Sequence, residues 1–227
     1  MIVDVIIPAY NEEDSIPLVL RAIPKDLVRE VIVVDNNSTD ATFEVSRSHG
    51  AIALKEKQQG YGAACLKGMQ YIAEKREHPD VVVFLDADYS DHPEEMEILL
   101  APIREGKVDF VLGSRVKKFR EKGAMYPQQV FGNWLATRLM RITHRVRYYD
   151  LGPFRAIRYS SLIALGMKDT NYGWTVEMQI KAAKKNIPFA EVPVHYRKRI
   201  GVSKVSGTIK GTIMAGYKII ATIIRYW

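Results

Sequence analysis

Two carboxylates one residue apart, Asp86 and Asp88, close an apolar run within the stretch DVVVFLDADYSD, residues 80 to 91. Side chains alternate along extended backbone, so residues i and i+2 project to the same side. Two carboxylates placed so make a hard, oxygen-rich site suited to Mg²⁺ or Mn²⁺ carrying phosphate. Taken alone, the pair also reads as a turn cap at Asp86 with Asp88 facing water. The surrounding elements decide between the two.

Val81 to Leu85 is an uninterrupted apolar run with β-branched weight, the pattern of a strand buried on both faces of a largely parallel sheet. Ile2 to Ile7 predicts an earlier strand, leaving through Pro8-Ala9-Tyr10-Asn11-Glu12. Ser15 to Ala22 has helical spacing and ends before Pro24. Glu30 to Val34 predicts a second strand, stopping at Asp35-Asn36-Asn37-Ser38. A short helix follows Thr39-Asp40, Ala51 to Leu54 is a weak third strand, and Gly60-Tyr61-Gly62 opens a longer helix, Ala63 to Lys75. Asp91-His92-Pro93-Glu94 predicts a helix start with a reciprocal cap between Asp91 and Glu94. Asp109 to Leu112 predicts another strand, ending at Gly113-Ser114-Arg115.

Strand and helix alternating through short links predict a doubly wound α/β fold, a mostly parallel central sheet flanked by helices. Such sheets bind ligands beyond the carboxyl ends of their strands. Four polar clusters fall at that edge: Pro8 to Glu12, Asp35 to Ser38, Asp86 to Ser90, and Gly113 to Arg115. The first turn is not Gly-x-Gly-x-x-Gly and no Gly-Lys-Ser/Thr follows a strand, which counts against dinucleotide and P-loop sites. In the second half, Met125 to Arg147 predicts a loop and an amphipathic helix around Trp134, Leu135, Leu139 and Ile142. Asp150 to Arg155 is a Gly/Pro-marked turn into a short strand. Glu177 falls on a helix after Tyr172-Gly173-Trp174-Thr175, and Phe189 to Val194 is a late strand.

The 227 residues, 47% hydrophobic and 26% charged, suit one globular domain, and no linker divides them. The single Cys65 excludes an internal disulfide framework and a CxxC zinc site and fits a reducing, cytoplasmic setting. Ile2 to Ile7 is too short for a signal peptide and contains Asp4, and no apolar run is long enough for a transmembrane helix. The net charge of +7 is unevenly placed. Residues 116–147 hold eight Lys or Arg against Glu121 alone, and residues 195–227 hold seven and no acid. Each segment is thus net +7 and the remainder net −7, which points to an anionic partner or surface. In the last twenty residues, placed at about 100° per residue, Lys210, Lys218 and Arg225 fall within about 80° of one another. With Ile209, Ile213, Ile220, Ile224, Tyr226 and Trp227 they read either as a helix lying in a membrane interface or as a terminal helix packed on protein.

The pattern resembles the family 2 glycosyltransferases, in particular the polyprenyl-phosphate sugar synthases such as dolichol-phosphate mannose synthase. The resemblance spans nearly the whole chain and rests on VIIPAYNEEDSI (5–16), VIVVDNNSTDAT (31–42), GYGAACLKG (60–68), FLDADYSDHPE (84–94), VLGSR (111–115), YGWTVEM (172–178) and RIGVSK (199–204). It implies a GT-A type nucleotide-sugar-binding fold. Residues 1–115 would form the nucleotide-sugar half, 116–206 the acceptor side, and 207–227 an amphipathic C-terminal helix. The resemblance implies that Pro8, Ala9, Tyr10 and Glu12 surround base and ribose, that Asp35 contacts the base, and that Gly62 lets the backbone approach the nucleotide. Asp86 and Asp88 would serve the ribose and the diphosphate with its Mg²⁺ or Mn²⁺, Asp88 as the direct ligand. Arg115 would clamp a phosphate, and Arg199, Ser203 and Lys204 would close over the diphosphate and the acceptor phosphate. Asp150 and Glu177 would be acids on the acceptor side. Ser90 stands where dolichol-phosphate mannose synthases often have Gln, and Asp35-Asn36 where Asp-Asp is common.

The implied reaction is an inverting displacement at the anomeric carbon of a sugar such as that of GDP-mannose or UDP-glucose. A phosphate monoester is largely anionic near pH 7, its second pKa being about 6, so it needs little general base. A polyprenyl phosphate acceptor with peripheral contact at the cytoplasmic membrane face therefore fits the two basic segments. The alternatives are a soluble or glycan hydroxyl acceptor and, in another class, nucleic-acid binding. Acidic clusters at the strand ends oppose a polyanion, so the expected partners include no nucleic acid.

Overall fold

The structure is a computed structural model describing residues 1–201 and 209–227. In chain order the elements are β1 (Val3–Ala9), α1 (Ile16–Ala22), β2 (Glu30–Asp35), α2 (Thr42–Ser48), β3 (Ile52–Lys55), α3 (Tyr61–Ala73) and β4 (Val81–Phe84). A 3-10 turn (Pro93–Glu95) leads into α4 (Met96–Arg104), then β5 (Phe110–Ser114), α5 (Pro127–Thr143), β6 (Arg155–Arg158), α6 (Tyr159–Leu165), α7 (Trp174–Lys184), β7 (Phe189–Pro193) and α8 (Ile209–Arg225). The seven strands form one sheet in the order β3-β2-β1-β4-β6-β5-β7. β1, β2, β3 and β4 pair in parallel, as do β5 and β7. β6 alone runs antiparallel, wedged between β4 and β5.

Alternation along the central strands explains why they read as continuous apolar runs. Val82 and Phe84 enter one core, with Ala64, Cys65 and Ile72 of α3 and Trp174 and Met178 of α7. Val81, Val83 and Leu85 enter the other, with Ile16 and Val19 of α1 and Leu99, Leu100 and Ile103 of α4. Each face is buried, so neither parity of the strand can be polar. Full burial of a side chain such as Phe84 contributes about 2–3 kcal/mol. Together these contacts fix the height at which β4 releases Asp86 and Asp88.

Two local expectations are corrected. Asp91 and Glu94 form no reciprocal cap. His92 occupies the cap position without a side-chain cap bond, Asp91 turns inward at 1% exposure, and Glu94 pairs instead with His92 and Arg197. The expected helix at α5 exists, but its inward face is different. Ala136, Thr137 and Met140 are buried, whereas Trp134 and Ile142 are 58% and 68% exposed. Leu139 packs against the core beside them, and α5 also contacts α8.

At the sheet's far edge, Glu191 of β7 takes the Tyr149 backbone N–H on Oε1 at 2.8 Å, while Oε2 is buried without a partner. Burial is the main cause that pushes its carboxyl up to about 7. Between the ordinary glutamate value and about 7 the folded chain therefore holds more protons than the unfolded one, and this group's contribution to stability falls as pH rises. Glu191→Gln should therefore gain Tm over the wild type progressively from pH 5 to pH 8. Parallel Tm–pH curves for the two proteins would contradict this.

Candidate active site

Beyond Phe84 the chain leaves the sheet and places Asp86 and Asp88 on the wall of a cavity of about 610 Å³. Oδ1 of Asp86 is buried with no hydrogen-bond partner, and the phenol oxygen of Tyr61, also buried, is unpaired as well. Burial, then the charge of Asp88, pushes the Asp86 carboxyl up to about 7. Asp88 is better held. Its Oδ1 accepts the Ser90 hydroxyl at 2.5 Å and the Ser90 backbone N–H at 2.9 Å, and its Oδ2 meets Nη1 of Arg199 at 3.1 Å. Ser90 therefore orients Asp88 through a short turn in which Tyr89 adopts a φ of 61°. Asp91 adds a third carboxyl behind the pair, both of its oxygens buried and unpartnered. Burial, then Asp86 and Asp88, pushes its titration well above the usual range.

Cations face this acidic wall. Arg199 bridges Glu12 at 2.6 Å and Asp88 at 3.1 Å. Arg115, at the end of β5, lines the same cavity under the ring of Tyr196, 5.1 Å from its centroid. Its fork is fixed by Asp150, with Nε at 2.9 Å from Oδ2 and Nη2 at 2.6 Å from Oδ1, and the Arg115 backbone N–H reaches Oδ2 at 2.7 Å. Burial would raise the Asp150 carboxyl, but Arg115 outweighs it and holds the group below the usual range.

Of the residues read from the sequence, Pro8, Ala9, Tyr10, Glu12, Asp86, Asp88, Arg115 and Arg199 line the cavity together. Asp35 does not; it accepts the Ser38 backbone N–H at 3.1 Å. Its neighbour Asn36 does, and it ties the 56–60 segment to β2, accepting the Gly60 N–H at 2.7 Å and donating to the carbonyls of Glu56 and Gln58. Gly62 is absent from the cavity wall. A Cβ there would lie 2.0 Å from the Asp169 carbonyl, so the close approach it permits is by another stretch of this chain. Asp150 sits behind Arg115, and Glu177 lies fully buried on α7, bonded to the backbone N–H groups of Lys168 and Asp169 and to the side chains of Lys181 and Tyr226. Ser203 and Lys204 lie outside the described residues.

The donor set suits a hard divalent cation: carboxylate oxygens only, one of them buried and unpaired at Asp86, another at Asp88 reachable once Arg199 shifts. Among the described residues no group of three or more His, Cys, Asp or Glu could hold a metal by itself. Cations such as Mg²⁺ take one or two carboxylates and complete their shell with water and substrate phosphate.

Residues 4–166 match the family described as Glycosyl transferase family 2. An uncharacterized glycosyltransferase of Mycobacterium tuberculosis (strain ATCC 25618 / H37Rv) is 35% identical over 227 residues, covering 99% of this chain and 96% of the relative. An undecaprenyl-phosphate mannosyltransferase of Micrococcus luteus is 32% identical over 228 residues, covering 91% and 88%. Among solved structures, glucosyl-3-phosphoglycerate synthase from Mycobacterium tuberculosis, in complex with Mn²⁺, UDP and phosphoglyceric acid, superposes with a TM-score of 0.79 at 22% identity, covering 99% of this chain and 78% of that one. The architecture is thus the GT-A fold. With a family match over most of its length and a relative at 35% identity over nearly all of it, the chain is a glycosyltransferase and belongs to glycosyl transferase family 2.

Proposed function

We propose that the chain transfers a hexose from a nucleotide-sugar, of the GDP-mannose or UDP-glucose type, to a polyprenyl phosphate. The observation that carries this reading is the pairing state of the acids. Asp150 is committed to Arg115 and Glu177 is committed to the 168–169 backbone, so neither is placed to take a proton from an acceptor hydroxyl. The cavity that holds Asp86 and Asp88 also offers the Arg115 guanidinium and the apolar surfaces of Leu151 and Ile219. A phosphate monoester brings its own anionic oxygen and needs a cation more than a base. The mannosyltransferase of Micrococcus luteus, whose name gives undecaprenyl phosphate as its acceptor, supports the same choice.

In this reading Pro8, Ala9 and Tyr10 enclose the nucleoside, and Asn36 holds the Gly60 loop against it. Asp86 and Asp88 hold Mg²⁺ or Mn²⁺, which when bound supplies Lewis-acid stabilisation of the leaving diphosphate. Arg199, now on Glu12 and Asp88, exchanges those partners for the diphosphate, and Arg115, held in place by Asp150 on its Nε and Nη2 edge, receives the acceptor phosphate through its Nη1 side. Attack by the phosphate oxygen forms the new glycosidic bond as the bond from the anomeric carbon to the diphosphate breaks, inverting the configuration. Transfer assays with GDP-mannose and UDP-glucose against undecaprenyl phosphate, 3-phosphoglycerate and free sugars test this. Product on the lipid phosphate alone is expected; transfer to sugar hydroxyls or to 3-phosphoglycerate without the lipid would overturn the acceptor assignment.

A membrane-surface location belongs to the same proposal. No helix among the described residues is long and apolar enough to cross a bilayer. α5 and α8 nevertheless turn Phe131, Trp134, Ile213, Tyr217 and Ile224 outward, with Trp227 following, while Arg138 and Arg141 are exposed on α5. Apolar and aromatic side chains beside basic ones suit an anionic bilayer surface. The full chain should float with vesicles containing phosphatidylglycerol; recovery in the unbound fraction would contradict it.

A further inference from the structure

The C-terminal helix is tied to the donor side of the cavity by a continuous set of polar contacts that no substrate needs to touch. Tyr226, just after α8, donates its hydroxyl to Glu177 at 2.7 Å, and Lys181 pairs with the same carboxylate oxygen at 2.7 Å. Glu177 in turn accepts the backbone N–H of Lys168 at 3.1 Å and of Asp169 at 2.7 Å. Lys218 of α8 reaches Asp169 directly, Nζ to Oδ2 at 3.0 Å, while Oδ1 of Asp169 takes the N–H groups of Asn171 and Gly173. The 168–171 segment is thereby shaped from within and gripped from α8 at two points.

That segment presses on the start of α3. The Thr170 carbonyl accepts the Ala63 N–H at 2.9 Å. A Cβ at Gly60 would lie 2.0 Å from the Thr170 carbonyl oxygen, and one at Gly62 2.0 Å from that of Asp169. Two glycines flanking Tyr61 are what let the two backbones meet. Gly60 and Tyr61 line the cavity beside Asp86, and Asn171 and Tyr172 line it from the other segment.

We infer that α8 is a latch for the donor site, with Tyr226, Lys218 and Glu177 as positioning residues that set the Gly60–Tyr61 segment through residues 168–171. The inference concerns the Gly60 loop itself and rests on the proposed function only for the name of the ligand. Glu177, an acid the sequence suggests for the acceptor side, acts here through the backbone it holds. Because the grip begins on the helix whose other face carries exposed Ile213, Tyr217 and Ile224, whatever seats that face also steadies the donor wall.

Hydrogen exchange on the full chain tests the latch without any ligand. In Tyr226→Phe/Lys218→Met, peptides covering 60–66 and 168–173 should both exchange about tenfold faster, since each substitution removes a bond to a charged group. Peptides from β1 and β4 should exchange as in the wild type. Acceleration confined to 168–173, or none at all, would overturn the latch. Lys218→Met alone, at a side chain 39% exposed, keeps the test decisive if the double variant does not fold. UDP and GDP are then titrated with Mn²⁺; the nucleotide that the wild type binds should bind about threefold or more weaker to the variant, and unchanged affinity would count against the latch. Binding of neither nucleotide by the wild type would defeat the donor reading, while the exchange result would still judge the latch.

Discussion

Asp88→Ala is expected to lower kcat/KM by roughly 10²–10³-fold, the scale seen when a preorganised group that stabilises transition-state charge is removed. The same change should leave Tm undiminished. Asp88 sits beside Asp86, whose carboxyl is already pushed up by burial and by the Asp88 charge, and near Asp91, which is pushed up for the same reasons. Removing one of three crowded acids relieves repulsion, while Arg199 keeps its bond to Glu12 at 2.6 Å. Loss of activity together with a large loss of Tm would instead mark Asp88 as a structural residue, its bonds to Ser90 serving only the turn. Asp88→Asn separates the cases further, since it keeps an acceptor for Ser90 and removes the charge.

Asp150→Ala should have the largest effect on stability. It strips the carboxylate from an arginine whose side chain is only 10% exposed. Leaving one member of a buried pair uncompensated typically costs about 3–5 kcal/mol, a fall in Tm of roughly 10 °C for a domain of this size. Asp150→Ala/Arg115→Met should recover much of that loss, because no orphaned charge remains, yet transfer no better than Arg115→Met alone. Thermal melts and transfer rates of the three variants check this. An Asp150→Ala protein with wild-type Tm, reduced kcat and an altered pH–rate profile would instead mean that Asp150 acts as a base on the acceptor.

The buried strands and the acidic strand end were legible because they depend on local pattern. A five-residue apolar run needs both faces covered, and an i, i+2 pair at its end shares a side wherever the chain goes. What sequence could not supply was the identity of distant partners. Asp150 reads as an acid available for chemistry until Arg115, 35 residues away, is seen to occupy both of its oxygens. Glu177 reads the same way until the backbone at 168–169 is folded onto it. Gly62 reads as a place where the backbone approaches the nucleotide until the Asp169 carbonyl is folded against it. The pattern Asp91-His92-Pro93-Glu94 satisfies a capping rule that local sequence favours, and burial behind β4 overrides it. At α5 the helical period announces an apolar face, yet the residues buried are Ala136, Thr137 and Met140, while Trp134 and Ile142 stay exposed. The antiparallel placement of β6 has no local signal either, since its pairing is set by the strands on both sides. Asn36 and Ser90 hold the Gly60 loop and Asp88, roles visible only once those groups are brought near.

Thermal-shift titration of the wild-type chain with GDP-mannose and with UDP-glucose, each with and without Mn²⁺, tests the central claim most directly. One of the two sugars should raise Tm in the presence of Mn²⁺, the rise should collapse with EDTA, and Asp88→Ala should abolish it. A rise that is equal with and without metal, or that survives in Asp88→Ala, would contradict a donor site built on Asp86 and Asp88.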